Sequence, residues 1–252
     1  MLTNHRKSQR GINLVELMIG LVVGLIVLAA MSAVYLNTSR GSRDTLNANR
    51  LNQDLRAIMD IMVADIRRAG YWGTADTGNN PFTGGTTNLA VTSSCILYSY
   101  DATYNGGTAG AQDPGVDFFG FHYGSNAVQM IKPSVNLSST NTSACNTTSN
   151  WENVSDPNVI TVTALSFETG GSQCMNTTAS PSVTWTTAAG STSAACADTT
   201  ASGYVAPTSG DVLVETRQVT ITLTAQHAQD TTLTRSLTET VLVRNNRILT
   251  AH

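Results

Sequence analysis

Glu16 is the residue whose setting most demands chemistry. It is the one charged side chain in a run that is apolar almost without a break from Ile12 to Leu36, and a charged group in hydrocarbon costs about 2.5 to 3.5 kcal/mol on insertion scales. The chemistry it calls for is an ion pair, which is weakly screened in such a medium. The cations nearby are Arg6, Lys7 and Arg10, all ahead of the run. Without one, the carboxylate has to reach out to headgroup water.

Other groups able to do chemistry are sparse. His122 sits amid Phe119, Phe121 and Tyr123, as a strand residue would; His227 and His252 have no such company. Asp101, Asp113 and Asp117 lie near glycines and offer oxygen ligands of the kind Ca²⁺ takes, but not at the spacing of an EF-hand loop, so no metal site is assigned. The four cysteines, Cys95, Cys145, Cys174 and Cys196, form no Cys-x-x-Cys pair and have no His at zinc spacing. An even number beyond an export segment predicts two disulfides in an oxidising compartment. Three pairings are open. We favour Cys95 with Cys145 and Cys174 with Cys196, each closing a Ser-, Thr-, Asn- and Gly-rich loop of moderate length and stabilising by roughly 3 to 4 kcal/mol. The chain holds no Gly-x-Ser-x-Gly elbow, no Gly-rich phosphate loop with Lys and no His-Glu-x-x-His helix. Neither enzymatic activity nor a cofactor is expected. With a net charge of −3 and no basic stripe, nucleic-acid binding is not indicated.

These groups need elements to hold them. Residues 1–11 read as a short basic leader, and the cations there mark the cytoplasmic side of a span. Residues 12–36 are long enough to cross a membrane as a helix. Gly20 and Gly24 form a small-xxx-small spacing that admits a second helix closely. Residues 37–70 turn amphipathic: Leu51, Leu55, Ile58, Met62 and Ile66 recur at steps of three and four, the stripe of a helix lying on a core. Gly41 and Ser42 bend or loosen this helix without ending it, and Gly70 is its natural stop. Residues 71–252 form a β-rich head, favoured by abundant Thr and Ser and by only 12% charged residues. Strands are predicted at 96–100, 118–123, 128–131, 159–167 and 183–185. A hairpin follows, in which Val219, Ile221 and Leu223 alternate with threonines and Leu233, Leu237, Val241 and Val243 continue the apolar side, joined through 226–231. Residues 134–155 are almost wholly Ser, Thr and Asn and are read as a surface excursion tied down by Cys145.

Two processing routes fit the leader. A secretory cut after Ala30-Met31-Ser32 is one, but the run is longer than the usual signal core and Glu16 is a poor resident of one. The other is a cut after Gly11. Here Gly11, the apolar Ile12 and Glu16 resemble the class III leader of type IV prepilins. That resemblance implies a membrane aspartic peptidase, the prepilin peptidase, that cuts after Gly11 and methylates the new terminus at Ile12. It also implies that the fresh amine of one subunit neutralises Glu16 of a neighbour during assembly. Asp65-Ile66-Arg67-Arg68-Ala69-Gly70-Tyr71 and Val241-Leu242-Val243-Arg244-Asn245-Asn246 resemble PilW-type minor pilins more narrowly. The first is also similar to the J-type minor pseudopilin of type II secretion. The fold implied is α+β and pilin-like: a long N-terminal helix, transmembrane in its first half and amphipathic in its second, packed on an antiparallel β-sheet head. The function implied is that of a non-catalytic minor pilin that helps initiate a type IV pilus near its tip. Its partners would be other minor pilins and the major pilin. It would reside in the bacterial inner membrane with a periplasmic head, then in the pilus, which in this family serves adhesion, twitching motility and DNA uptake. A pseudopilin, or a membrane-anchored extracytoplasmic binding module or enzyme, is the alternative.

Overall fold

The computed structural model describes residues 13–74, 80–85, 87–102, 110–133 and 135–252. The leader, with Gly11 and Ile12, lies outside the described residues. The chain divides into two compact units, residues 1–49 and 50–252.

One helix, α1, runs over Leu14–Ile66, 53 residues. In the first unit it opens with the Glu16 and Leu17 amides donating to Asn13 O at 3.0 and 3.2 Å. Its apolar side chains are exposed, and it passes through Gly41 and Ser42 without ending. The hydroxyls along it fold back on the helix: Ser32, Thr38, Ser42 and Thr45 donate to the carbonyls of Leu28, Val34, Thr38 and Gly41 at 2.8 to 3.0 Å. Of these only Ser32 lies within residues 12–36, where a hydroxyl satisfied this way suits surroundings that offer no water.

In the second unit α1 presents Leu51, Leu55, Ile58, Met59, Met62 and Ile66 to the core. Steps of three and four keep these side chains on one face. They pack with Ile96 and Tyr98, with Val162 and Phe167, and with Val219, Ile221 and Leu223. The helix closes through a turn at Arg67–Gly70, where Gly70 has φ +73°, a left-handed conformation that suits glycine.

Antiparallel sheets make up the head, so the architecture is α+β and pilin-like. The first sheet is β1 (Ala90–Thr92), β2 (Cys95–Ser99), β3 (Phe118–Gly124), β4 (Ala127–Ile131) and β5 (Trp151–Asn153), in that order. The second orders β11 (Asp230–Leu242), β10 (Gln218–His227) and β6 (Ile160–Glu168). The third orders β12 (Arg247–Thr250), β9 (Val212–Thr216), β7 (Gln173–Asn176) and β8 (Val183–Thr186). In β10 the alternation is strict, with Val219, Ile221, Leu223 and Ala225 buried. The β10–β11 hairpin is tighter than the predicted 226–231 connection, since His227 pairs with Asp230.

Two expectations are corrected. The head was read as an antiparallel sheet on the helix, whereas the described residues form three antiparallel sheets, and β1, β5, β7, β9 and β12 were not anticipated. The polar stretch 134–155 was predicted to supply nothing to a core. Trp151 and Cys145 are instead buried with Cys95, Leu97 and Ile131, and Val135 and Leu137 pack against them. One large aromatic and one covalent tie suffice to build a small satellite core there, because Trp alone brings 150 to 250 Å² of surface.

Candidate functional site

The exposed stretch of α1 is the first candidate. Glu16 lies in its first turn, where the positive end of the helix dipole favours a carboxylate by about 0.3 to 1 kcal/mol. The helix start thus supplies part of the neutralisation that the sequence demanded from a cation. A Cβ built at Gly20 or Gly24 would meet nothing within 4 Å, so the small-residue face is open. Gly11 and Ile12, assigned to cleavage and methylation, lie outside the described residues.

The second candidate is the end of α1, where the two strings 65–71 and 241–246 meet. A helix leaves its last carbonyls without partners, and here the later string answers them. The Arg244 amide donates to Arg67 O at 3.2 Å, and Asn245 Nδ2 donates to Ala69 O at 3.2 Å. Gly70 N donates to Ser99 O at 2.8 Å, and Asn80 Nδ2 donates to Gly70 O at 2.8 Å. A Cβ at Gly70 would stand 2.7 Å from Arg217 Nη2 and 2.9 Å from the Thr83 methyl. Only glycine fits, for reasons of space as well as conformation.

Arg217 seals this junction from below. It is 4% exposed, donating from Nη1 to Asn88 Oδ1 at 2.6 Å and from Nη2 to Asn245 O. Burial pulls its guanidinium down to about 10, opposed by the neighbouring Glu215 carboxylate. Glu215, fully buried, accepts from the Cys196 amide at 3.0 Å and pairs with Arg247 Nη1 at 3.4 Å. Arg247 Nε also donates to Thr83 O at 2.7 Å. This ion cluster ties the third sheet to the helix end.

Beside it, Asp65 on α1 accepts from Tyr98 Oη at 2.6 Å and Tyr100 Oη at 2.9 Å, with Arg68 Nη1 at 3.7 Å. Burial first, and the Asp65 charge second, push the Tyr98 phenol well above its ordinary range. Tyr100 stacks on Phe119, centroids 4.2 Å apart. An open groove of about 730 Å³, with Ile61, Val116, Phe119 and Met130 in its lining, runs alongside. Its one carboxylate, Asp65, is already held by two phenols and a guanidinium.

Of the three aspartates raised for Ca²⁺, Asp101 and Asp117 serve the backbone. Asp101 Oδ2 accepts from the Gly73 and Gly110 amides at 3.0 and 2.9 Å. Asp117 accepts from the Ala102 and Asp113 amides at 2.9 and 2.7 Å, and burial raises its carboxyl against the pull of those amides. Among the described residues no cluster of three or more His, Cys, Asp or Glu could hold a metal. His122 stands in β3 against the Trp151 ring, 5.0 Å between centroids. The structure joins Cys95 to Cys145 and Cys174 to Cys196. Each bond stands beside a buried tryptophan, Trp151 and Trp185. Sequence reasoning missed Arg217 and Glu215. A charged pair flanking Thr216, at the point where the strongest strand begins, was the available signal.

A long apolar N-terminal helix followed by antiparallel sheets is the build of a pilin-like protein. The model of the family described as Prepilin peptidase-dependent protein B matches residues 44–243, and the chain belongs to that family. It is therefore prepilin-related, associated with type IV pili and dependent on prepilin peptidase. The matched residues contain the helix-end string and the first three residues of the string that closes over it. No curated protein and no solved structure matches the chain.

Proposed function

We propose that this chain is a non-catalytic minor pilin of the PilW type, which helps initiate a type IV pilus and is built in at or near its tip. The observation that carries the reading is the first half of α1: a helix of exposed apolar side chains whose one acid up to Leu36, Glu16, stands in the first turn. Such a surface needs lipid or other helices of the same kind around it. In the membrane it is a single-pass anchor with a periplasmic head. In the filament it packs among the stems of other minor pilins and the major pilin, with Glu16 neutralised by the amine of a processed neighbour. Adhesion, twitching motility and DNA uptake are the roles open to the resulting pilus.

Mass measurement of the mature N terminus tests the processing step. The expected species begins at a methylated Ile12; a chain retaining Met1 is a plain anchor, and one beginning near Ala33 is a secreted domain. Glu16→Ala is expected to leave the chain in the membrane and to lower its incorporation into pili, and normal incorporation would refute the assembly role. The proteins that co-purify distinguish a pilus from the pseudopilus of type II secretion.

A further inference from the structure

β11 ends its sheet and has a strand on one side only. Its other side is an edge thirteen residues long. Edges of this length invite pairing and are ordinarily blunted by Pro, a bulge or charges of one sign, whereas Arg235 and Glu239 on this edge are of opposite sign. Asp230–Leu242 contains neither Pro nor Lys, and the register shift of its pairing with β10 falls between Gln226 and His227, at the hairpin end. Thr234, Arg235, Ser236, Thr238, Glu239 and Thr240 are exposed.

The pattern along this edge specifies a partner. Leu237 pairs with Leu223, Arg235 with Ala225 and Glu239 with Ile221, so all three lie on the apolar face of the sheet, with the two charges flanking Leu237. On the other face Ser236, Thr238 and Thr240 hydroxyls meet those of Thr224, Thr222 and Thr220 at 2.9, 3.2 and 3.2 Å. Read outward from Leu237 in either direction, the string is self-complementary. An antiparallel copy centred there sets Arg235 against Glu239 twice, Leu237 against Leu237, Leu233 against Val241 and Ser236 against Thr238. Opposite charges and apolar pairs directly across two strands each stabilise the pairing. Among the described residues neither Arg235 nor Glu239 is in an ion pair within the chain, so no such contact has to be given up.

We propose that the free edge of β11 docks the β11 of a second copy of this chain, antiparallel about Leu237, giving one six-stranded sheet across two heads. The arrangement is isologous, as a two-fold contact requires. Its axis stands normal to the sheet, so residues 50–66 of α1, packed on that sheet, run in opposite directions in the two copies. The contact therefore joins the two heads edge to edge, with these helix segments antiparallel. It does not depend on the pilus reading.

The test is sedimentation of the full chain in detergent micelles over a range of protein concentrations. A concentration-dependent dimer is expected. Glu239→Arg, which sets Arg against Arg twice, is expected to weaken it at least tenfold, and Arg235→Glu combined with Glu239→Arg to restore it. Thermal unfolding of each variant checks the fold; if Glu239→Arg fails to fold, Glu239→Gln takes its place with a several-fold loss expected. A wild-type chain that stays monomeric overturns the proposal. So does a dimer indifferent to the single reversal, which would be held by its stems, or a double variant as weak as the single.

Discussion

The two halves of α1 carry the same kinds of apolar side chain, and these meet opposite fates. Leu21, Leu25 and Ile26 are 58 to 64% exposed, while Leu55, Met62 and Ile66 are at 0%. Burying a Leu or Ile stabilises by about 1.5 to 3 kcal/mol, so the second half has already collected this from its own chain and the first half has not. Apolar residues at helical spacing do not specify what covers them. From 51 to 66 the cover is intramolecular; from 14 to 36 lipid or other chains must provide it.

The most drastic way to break the comparison is to place one acid in each half. Leu55→Asp puts an unpaired carboxylate in the core, an effect beyond about 4 to 5 kcal/mol, and near-ultraviolet circular dichroism should show no folded head. Leu25→Asp should leave the head's melting unchanged. If it melts the head as well, the two halves are not independent.

Arg217→Ala is the next largest. It leaves Asn88 Oδ1 and Asn245 O without their donor and Glu215 with one cation instead of two, which should lower the head's stability by about 3 to 5 kcal/mol in urea titrations. Removing the disulfides sharpens the comparison within the head. Loops of 50 and 22 residues predict losses of about 4 kcal/mol for the Cys95→Ser, Cys145→Ser pair and about 3 kcal/mol for the Cys174→Ser, Cys196→Ser pair. The order of the two midpoints is the check.

The smallest effect concerns pH. The Thr208 amide and then Asn176 hold Asp211 below its ordinary 3.8. A depressed acid contributes stability above its unfolded pKa and loses it as pH falls through the folded one. Asp117 has the opposite sign: raised by burial, it favours the fold at low pH and loses that contribution as pH rises through its folded value. Asp211→Asn should therefore flatten the acid limb of melting temperature against pH, and Asp117→Asn should not flatten it.

The helix and the final hairpin were legible because each carries an unbroken period. Leu51 to Ile66 keeps to three and four, and Val219 to Leu223 keeps to two. β7 offers only Cys174 and Met175 as apolar residues, too few to set any period. β12 gains its place by pairing with β9, not by its own pattern. Trp151 was hidden among the sixteen polar residues of 134–155, although a tryptophan six residues after a cysteine in such a stretch was a sign of a packed spot. Arg217 is held by Asn88, 129 positions earlier, and no local reading connects two polar residues so far apart. The strings 65–71 and 241–246 were each singled out, but that one closes on the other is visible only in three dimensions.

That closure has a bearing on how the chain matures. The carbonyls at the end of α1 wait for an asparagine 176 positions further along, and until it arrives the terminus of the first element made has no lid. A head emerging stepwise, from its amino end onward, therefore stays unsealed until almost all of its strands have appeared. Whatever proteases or holding factors survey the compartment meet an open seam up to that moment, and a closed one afterwards.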